Sequence, residues 1–430
     1  MTTTLTDQQY LDRLQGVILL RQQGYYPQAR AVAEDLLKYR VEESSLWHQW
    51  GQIATAIGEP EAAVDYFGRS LRLMREHGTL ATHALQFQAA ALGYAQSLMR
   101  LGRFEEAWPY WESGRLHVSW SPWPTTEYWD GTAENIPSLL VQAEGGYGDI
   151  FMFMRWIALL KSVKGVGRVG LMIFKGLADF CDWSALGVDE VYRVDVDKIP
   201  FGRWAYSTSI MSLPACFNVK SWDEIPDAYT TPEGAGASIS YALRDLETSH
   251  VPADVFKLGF CWRAEENSSP IRTKSLDVET ATEILSLIRD EWALRSFDEL
   301  LNNAKHAEDL ILCSLSPEKK DLYNTEPFAQ PDGLVYEPGC MDSWRGTAQY
   351  LCSMDLVLTV DTAVAHLCGL LGVPALVLIP KGGCWRFGTH DRVMGPWYGS
   401  SLLYYRQPEV LKWDAEDIVK SVMRLIDAEA

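Results

Sequence analysis

The segment from Leu356 to Arg386 constrains the fold of this chain more than any other part of its sequence. It reads LVLTVDTAVAHLCGLLGVPALVLIPKGGCWR: an apolar strand, Asp361-Thr362, a helix carrying His366, a second apolar strand and a glycine-rich loop. Strands that are apolar throughout are covered on both faces, as in parallel α/β sheets. Asp361 and Thr362 fall where a strand ends and a helix begins, where free amides and the helix dipole favour a phosphate. The segment predicts a parallel α/β domain with an anion site.

A helix-capping role would by itself account for Asp361, but two glycine loops favour a ligand site. One is Gly382-Gly383, one strand later. The other is EGGYGD, which joins a strand to an apolar helix in the preceding half and ends in Gly148-Asp149. Glycines permit positive φ and let a ligand approach the backbone, and the helix dipole keeps Asp149 ionised, so that it can act as a base. The alternative is a tight turn capped by Asp149, because the dinucleotide and P-loop spacings are missing.

Four segments in series resemble tetratricopeptide-linked glycosyltransferases related to the heptosyltransferases. Residues 144–155, EGGYGDIFMFMR, resemble the family loop EQGxGDxxQFxR, and residues 360–369 resemble its VDTxxAHLAG segment. Residues 385–407 resemble its WRW…R…PWYP…RQ tail, and residues 106–112 resemble its EGWxxYEWR junction. The resemblance implies an α/β chain of GT-B type, in which two Rossmann-like domains face each other behind all-α repeats.

The same resemblance implies an inverting, metal-independent transfer of a sugar from a nucleotide-sugar to an acceptor hydroxyl. Asp149 and Lys274 are the implied catalytic residues, and no cofactor or metal is expected beyond the nucleotide-sugar co-substrate. Gly145, Met152 and Cys384 replace two glutamines and an acidic residue of the family pattern, which affects the donor preference. The implied donor-binding residues are Gly148, Arg272, Ser275, Asp361, Thr362, His366, Gly382, Gly383, Trp385 and Arg386.

A basic loop, SPIRTKSL at residues 269–276, follows the strand that begins the second α/β domain. Arg272 can hold a diphosphate with a bidentate fork, Lys274 can hold it as a point charge, and Ser275 can bind the donor phosphate. The alternative for each basic residue is a solvated surface loop. For His366 the alternative is a core histidine. Trp385 and Arg386 are candidates for stacking on the nucleotide base or for binding the sugar.

A D-x-D sequence occurs at Asp195-Val196-Asp197. In other glycosyltransferases this sequence holds Mn²⁺ or Mg²⁺. Here it lies in the first α/β domain, and we interpret it as a solvated strand end. No metal ligands are predicted.

The first part of the chain is organised as helical repeats. The hexapeptides at residues 24–29 and 58–63 align with an offset of 34 residues, the tetratricopeptide period, and a third such turn begins at Gly102. Small residues such as Gly51 let paired helices approach, while Phe67 fills the gap between them. Because about three repeats are near the minimum for stability, the array is expected to dock on the catalytic body.

These observations divide the chain into five predicted segments. The last is a helix that, as the resemblance implies, crosses back onto the first α/β domain. Strands are predicted at 139–143, 166–173, near 191 and 204, and at 255–262, 310–315, 334–337, 356–360 and 375–379, with a helix at 278–292. The segments are repeats at 1–118, a connector at 119–136, an N-terminal Rossmann-like acceptor domain at 137–250, a C-terminal Rossmann-like nucleotide-sugar domain at 251–412 and a helix at 413–430.

Charge and composition bear on the partners and the compartment. The net charge of −19 repels nucleic acid and anionic membranes, so nucleic acid is the least favoured acceptor, and a protein or glycan held by the repeats is favoured. The eight cysteines form no C-x-x-C pair and read as reduced core residues, and there is no signal peptide or membrane span, so a cytoplasmic protein is predicted. Two other functions stay open: a non-catalytic repeat adaptor and a nucleotide-sugar epimerase.

Overall fold

The structure of the protein is a computed structural model, and two of the singled-out side chains lie outside the residues it describes. They are Arg272 of the basic loop and Asp195 of the D-x-D sequence. The described residues are 5–78, 84–115, 126–194, 196–226, 243, 255–264, 274–302, 309–316, 331–335 and 339–429.

Six helices form the N-terminal array, and each packs against the next. Gly24, Gly58 and Gly102 end the first helix of each pair with left-handed φ values of 79°, 83° and 78°. Since side chains strongly disfavour this conformation, the aligned glycines are what the turns require. The helices are α1 (Asp7–Gln22), α2 (Tyr26–Leu37), α3 (Ser44–Ile57), α4 (Pro60–Glu76), α5 (Ala84–Arg100) and α6 (Phe104–Arg115).

Small residues allow a large ring to sit between neighbouring helices of the array. The ring of Phe67, on α4, lies so close to α3 and α5 that a Cβ added at Gly51 or Gly93 would approach it to 2.6 or 2.5 Å. Phe67 itself is almost completely buried. The small residue predicted at Gly51 therefore has the packing role inferred from the sequence.

The first α/β domain is built on a five-stranded parallel sheet in the order β1-β5-β2-β3-β4. Strand β2 lies at its centre with four of its five residues buried. Since all strands run in the same direction, the loops after their carboxyl ends share one edge. The elements are β1 (Glu127–Tyr128), β2 (Ser138–Gln142), α7 (Tyr147–Ile157), α8 (Leu160–Lys164), β3 (Arg168–Ile173), β4 (Glu190–Arg193), β5 (Tyr206–Ser209) and α9 (Leu213–Cys216).

The second α/β domain has a six-stranded sheet in the order β10-β11-β9-β8-β6-β7, in which only β10 is antiparallel. Strands β8 and β9 are buried at every residue, as their apolar runs predict. The elements are β6 (Val255–Cys261), α10 (Val278–Asn302), β7 (Asp309–Ser314), α11 (Trp344–Leu351), β8 (Leu356–Val360), α12 (Ala363–Leu371), β9 (Ala375–Ile379), β10 (Met394–Gly395), β11 (Gly399–Arg406) and α13 (Ala415–Glu429).

Two details of the second sheet differ from the sequence prediction. The strand expected at 334–337 is reduced, among the described residues, to an isolated bridge between Val335 and Cys313. Strand β11 was not predicted, because its sequence, GSSLLYYR, begins with polar residues and follows a loop rich in Gly and Pro. Two parallel α/β domains behind a helical array nevertheless confirm the predicted GT-B fold class.

The last helix, α13, belongs to the second domain. It packs against α10, and Ile418, Val422 and Ile426 share one core with Leu258 of β6 and Ile284 of α10. The prediction that this segment crosses back onto the first α/β domain is therefore wrong. The apolar stripe of α13 packs on the core of the second domain. The sequence shows that the helix has such a stripe but does not show which of the two sheets it covers.

No helix within the described ranges combines the length and the apolar character needed to cross a bilayer. All eight cysteines are free thiols and five of them are buried, in agreement with their interpretation as core residues.

Candidate active site at the interdomain junction

Helices α7 and α12 begin beside each other although they belong to different α/β domains. Helix α7 follows the buried strand β2, and α12 follows the buried strand β8. A Cβ added to Gly148, the second residue of α7, would lie 2.8 Å from Cδ2 of His366 and 3.3 Å from Cα of Ala363. Glycine permits this approach because it has no side chain. The structure thus brings together the two strand-to-helix turns singled out in the sequence, and we call this contact region the interdomain junction.

Asp149 is the carboxylate of the junction, and both of its oxygens have partners. Oδ2 accepts a hydrogen bond of 2.8 Å from the amide of Gly146. Oδ1 is paired with Nη2 of Arg386, which comes from the loop after β9 in the other domain. The Asp149 and Arg386 side chains are only 16% and 15% exposed. The guanidinium of Arg386 occupies Oδ1, so Arg386 must move away before an acceptor hydroxyl can reach that oxygen of Asp149.

Arg386 is held charged by its neighbours. Burial alone would lower its pKa, but the Asp149 carboxylate and then Cys384 outweigh the burial, and the pKa of Arg386 is raised above its usual value. The sulfur of Cys384 lies 2.8 Å from Nη1 of Arg386. Arg386 is thus a cation of the second α/β domain that contacts the start of α7.

Lys274 and Asp361 form the second ion pair, with 2.8 Å between Nζ and Oδ2. Burial acts to raise the pKa of Asp361, but Lys274 outweighs it and the pKa is lowered. The Asp361 carboxylate in turn is the main reason that the pKa of Lys274 is raised. Both groups are therefore charged at neutral pH. Asp361 is buried and Lys274 keeps 39% of its side chain exposed, so the lysine presents a cation near the start of α12.

Thr362 and Ser275 are the two predicted hydroxyl-bearing donor residues. Thr362 is the N-cap residue of α12, and its side chain makes no capping hydrogen bond. Its Oγ1 lies 3.3 Å from that of Thr359 instead. Ser275 is buried, and its Oγ accepts a 3.0 Å hydrogen bond from the amide of Ala264. The start of α12 is consequently not closed by its own N-cap side chain, whereas the Ser275 hydroxyl connects two backbone segments.

His366 lies behind the junction, with 5% of its surface exposed. Its ring stacks on Phe387 at 5.7 Å with a 20° interplanar angle, and Nδ1 is 3.4 Å from Oη of Tyr398. Burial lowers the pKa of His366 to about 4, so the imidazole is neutral at physiological pH. This environment favours the alternative of a core histidine.

Gly382 and Trp385 contact the helical repeats, whereas the space for a Cβ at Gly383 is taken up by Ile379 and Pro380 of its own domain. A Cβ added at Gly382 would lie 2.3 Å from the carbonyl oxygen of Ala56 in α3. Trp385 is 3% exposed and contacts aromatic rings, including that of Trp111 in α6 at a centroid distance of 5.6 Å. This placement favours contacts with the repeats for Gly382 and Trp385, and a tight turn for Gly383, over the donor contacts predicted for the three residues.

Sequence reasoning misses Arg155 as a residue that joins the two α/β domains. This side chain is completely buried in α7, and its Nη1 donates to the carbonyls of Trp397 at 2.7 Å and Pro226 at 2.9 Å. Its guanidinium also lies 5.0 Å from the ring centre of Tyr398. The sequence does contain one indication of this role, a single charged residue in the otherwise apolar helix sequence IFMFMRWI. Because a charge is rarely buried without dedicated partners, such a residue is expected to have specific contacts.

A metal site is not apparent among the described side chains, where no group of three His, Cys, Asp or Glu residues could hold an ion. Asp197 of the D-x-D sequence accepts hydrogen bonds from the amide and the guanidinium of Arg193, at 2.7 to 3.0 Å. These bonds lower the pKa of Asp197 to about 2. Asp197 is thus used to close a local turn.

Comparison with known proteins gives distant structural matches. No family model matches the chain, and no curated protein matches it. Escherichia coli heptosyltransferase WaaC with ADP is 15% identical with a TM-score of 0.41, covering 67% of this chain and 99% of that one. Escherichia coli ADP-heptose lipopolysaccharide heptosyltransferase II is 12% identical with a TM-score of 0.40, covering 68% and 100%. A Thermobaculum terrenum O-GlcNAc transferase variant is 13% identical with a TM-score of 0.29, covering 84% and 74%.

Proposed function

We propose that this protein is a glycosyltransferase that moves a sugar from a nucleotide-sugar donor to an acceptor hydroxyl, with inversion and without a metal ion. The proposal rests on two ion pairs at the interdomain junction, Asp149 with Arg386 and Lys274 with Asp361. The first α/β domain supplies one carboxylate, Asp149. The second supplies two cations, Lys274 and Arg386, beside the start of α12. A base facing a cluster of phosphate-binding groups is what this reaction needs.

The second domain binds the donor diphosphate in this proposal. Lys274 and Arg386 neutralise its charge, and the first amides of α12 bind its oxygens at the positive end of the helix dipole. A diphosphate carries more charge than one carboxylate and can accept both guanidinium hydrogen bonds, so it competes with Asp149 for Arg386. Donor binding thereby frees Asp149. The predicted Arg272, outside the described residues, would add a further cation.

The transfer step then uses Asp149 as the general base. The acceptor oxygen attacks the anomeric carbon from the face opposite the diphosphate and gives its proton to the Asp149 carboxylate. The bond between the anomeric carbon and the diphosphate oxygen breaks, and its electron pair leaves with the nucleoside diphosphate. Lys274 and Arg386 stabilise that developing charge. One displacement inverts the anomeric configuration. The helical repeats suit a protein or glycan acceptor.

A binding screen tests the proposal. Purified protein is heated with UDP-, GDP-, ADP- and CMP-sugars, and Lys274→Met is compared with Lys412→Met, whose lysine is 71% exposed and pairs with Glu409 three residues earlier. At 100 times its Kd a donor stabilises the protein by about 2.7 kcal/mol. We expect one nucleotide class to raise the melting temperature of wild type and Lys412→Met, and to raise that of Lys274→Met far less.

Because Lys274→Met leaves Asp361 unpaired, the double variant Lys274→Met/Asp361→Asn is measured alongside it, and only ligand-induced shifts are compared. An equal shift in all variants, or no shift with any donor, contradicts the site. Binding without any donor hydrolysis or transfer would favour the adaptor.

A further inference from the structure

Two buried arginines at the ends of repeat helices reach the loops that carry the junction residues. Arg115 is the last residue of α6 and is 3% exposed. It is paired with the carboxylate of Glu144, which is 4% exposed and stands directly before the Gly145-Gly146 turn that leads to Asp149. Its Nη2 also donates to Oγ of Ser212 at 2.6 Å. One end of the repeats is thus fixed to the loop that supplies the proposed base.

Arg100, the last residue of α5, makes the corresponding contact with the second α/β domain. It is 4% exposed, and its Nη2 donates to the carbonyl of Lys381 at 2.9 Å. Its Nε donates to the carbonyl of Gly388 at 3.3 Å. These two carbonyls bracket the loop that carries Arg386. The loops on both sides of the Asp149–Arg386 ion pair are therefore each held by an arginine from the repeats.

Helix α6 also contacts both domains through its tryptophans. Nε1 of Trp108 donates to the carbonyl of Val219 at 2.6 Å, and Nε1 of Trp111 donates to that of Met211 at 3.2 Å, both in the first α/β domain. The Trp111 ring packs edge-on against Trp385 of the second domain. The helix therefore bridges the two domains on the side of the loops.

We propose that Arg100 and Arg115 are positioning residues, and that the helical repeats form part of the frame of the active site. Arg115 sets the place of Glu144 and of the glycine turn behind it, and Arg100 sets the loop of Arg386. Both are charge-assisted contacts made in a buried environment, where their geometry is strongly determined. This inference rests on the proposed function for its catalytic consequence, but the mechanical part is independent of it.

Hydrogen–deuterium exchange tests the mechanical part. Arg115→Lys and Arg100→Lys keep the charge and lose the planar fork of the guanidinium. Arg103→Lys is the matched control, because Arg103, the residue before α6, is 45% exposed and pairs with Glu106 of that helix. We expect Arg115→Lys to speed exchange in residues 145–149 by about tenfold and Arg100→Lys to do so in residues 381–388. The strands β8 and β9 keep their protection.

Unchanged exchange in both loops would overturn the proposal, and so would an equal increase throughout the molecule. If Arg115→Lys does not fold, Glu144→Gln weakens the same contact from the loop side and is expected to give the same local pattern. Arg103→Lys is expected to match wild type in every segment.

Kinetics with the nucleotide-sugar that gives the largest thermal shift test the catalytic part. Arg115→Lys is expected to lower kcat about 10²-fold with little change in KM, because a displaced turn misplaces the base without removing a donor contact. A rise in KM at constant kcat would contradict a positioning role. If no donor is turned over by wild type, the proposed function fails, and the exchange experiment still decides whether the repeats hold the two loops.

Discussion

The loops after β2 and β9 look alike in sequence, yet the structure uses their glycines differently. Each follows a buried strand, contains a glycine pair and leads to a charged residue. In the first loop, Gly148 makes room for His366 of the other α/β domain. In the second, Gly382 makes room for the backbone of α3, and Arg386 reaches Asp149 at the junction. A glycine after a strand shows that something approaches the backbone closely, and that neighbour can be a ligand or another part of the chain.

The largest expected effect comes from removing the charge of the first loop. Asp149→Asn keeps the shape of the side chain and one of its two acceptor oxygens, but it removes the proton acceptor and the charge that pairs with Arg386. Turnover should fall by roughly 10²–10⁴, whereas donor affinity should be unchanged or higher, because the diphosphate no longer competes with a carboxylate for Arg386. Initial rates and donor binding are measured on the same preparation.

Asp197→Asn is the control for this experiment, since Asp197 also closes a turn in the first α/β domain but pairs with Arg193. It should retain wild-type turnover. Near-normal turnover in Asp149→Asn would mean that the first loop is only a structural turn. The two loops would then not differ in function.

The next effect compares a buried histidine at the junction with one in the repeats. Burial lowers the pKa of both His366 and His48 to about 4. Between pH 6.5 and 4 the unfolded chain binds a proton at each position and the folded protein does not. Stability is therefore lost as the pH falls through this window, by about 1.4 kcal/mol per pH unit for each histidine. Urea unfolding at pH 7 and pH 5 measures it.

His366→Gln and His48→Gln should each remove one such contribution and flatten the dependence of the unfolding free energy on pH by the same amount. Retention of the wild-type slope in His366→Gln would mean that this imidazole takes up its proton in the folded protein as it does in the unfolded chain, and hence that it faces solvent or a ligand at the junction. That outcome would restore the predicted donor-binding role of His366.

The local pattern of strand, turn and helix is what the sequence predicts well here. The structure places four predicted residues where a strand ends and a helix begins: Asp361, Thr362, Gly148 and Asp149. This could be predicted because apolar runs and glycine turns depend on residues that are neighbours in the sequence. The contacts between distant segments are not readable in this way. Asp149 and Arg386 are 237 residues apart, so nothing in the local sequence of either one indicates the other. The domain that α13 contacts depends in the same way on which sheet offers a face for it, and this is a property of the folded chain.

A third test adds one methyl group to each loop. Gly148→Ala places a Cβ 2.8 Å from the buried ring of His366, and Gly382→Ala places one 2.3 Å from a backbone oxygen of α3. Each should cost about 1–3 kcal/mol of stability, since overpacking forces its neighbours to shift. Gly148→Ala should also impair turnover, because it separates the two helix starts, whereas Gly382→Ala should lower the melting temperature with a smaller effect on kcat.

Gly16→Ala in α1 is the control, because no atom outside its immediate surroundings lies within 4 Å of the added Cβ. It is expected to be neutral or to stabilise the protein by up to about 1 kcal/mol through helix propensity. If Gly382→Ala lowered turnover as strongly as Gly148→Ala and also weakened donor binding, the second glycine loop would have to contact the donor after all.

The smallest expected effect is that of a chelator. In the proposed mechanism Lys274, Arg386 and the first amides of α12 neutralise the leaving diphosphate, so the charge that a divalent cation would supply is already present. Turnover in EDTA should equal that in buffer, and added Mn²⁺ should not restore activity to Lys274→Met. A strict requirement for Mn²⁺ would contradict this. It would direct attention to Asp195 and Asp197. It would also mean that Arg386 serves to join the two domains and Lys274 to compensate the buried Asp361, which leaves the charge of the leaving group to the metal.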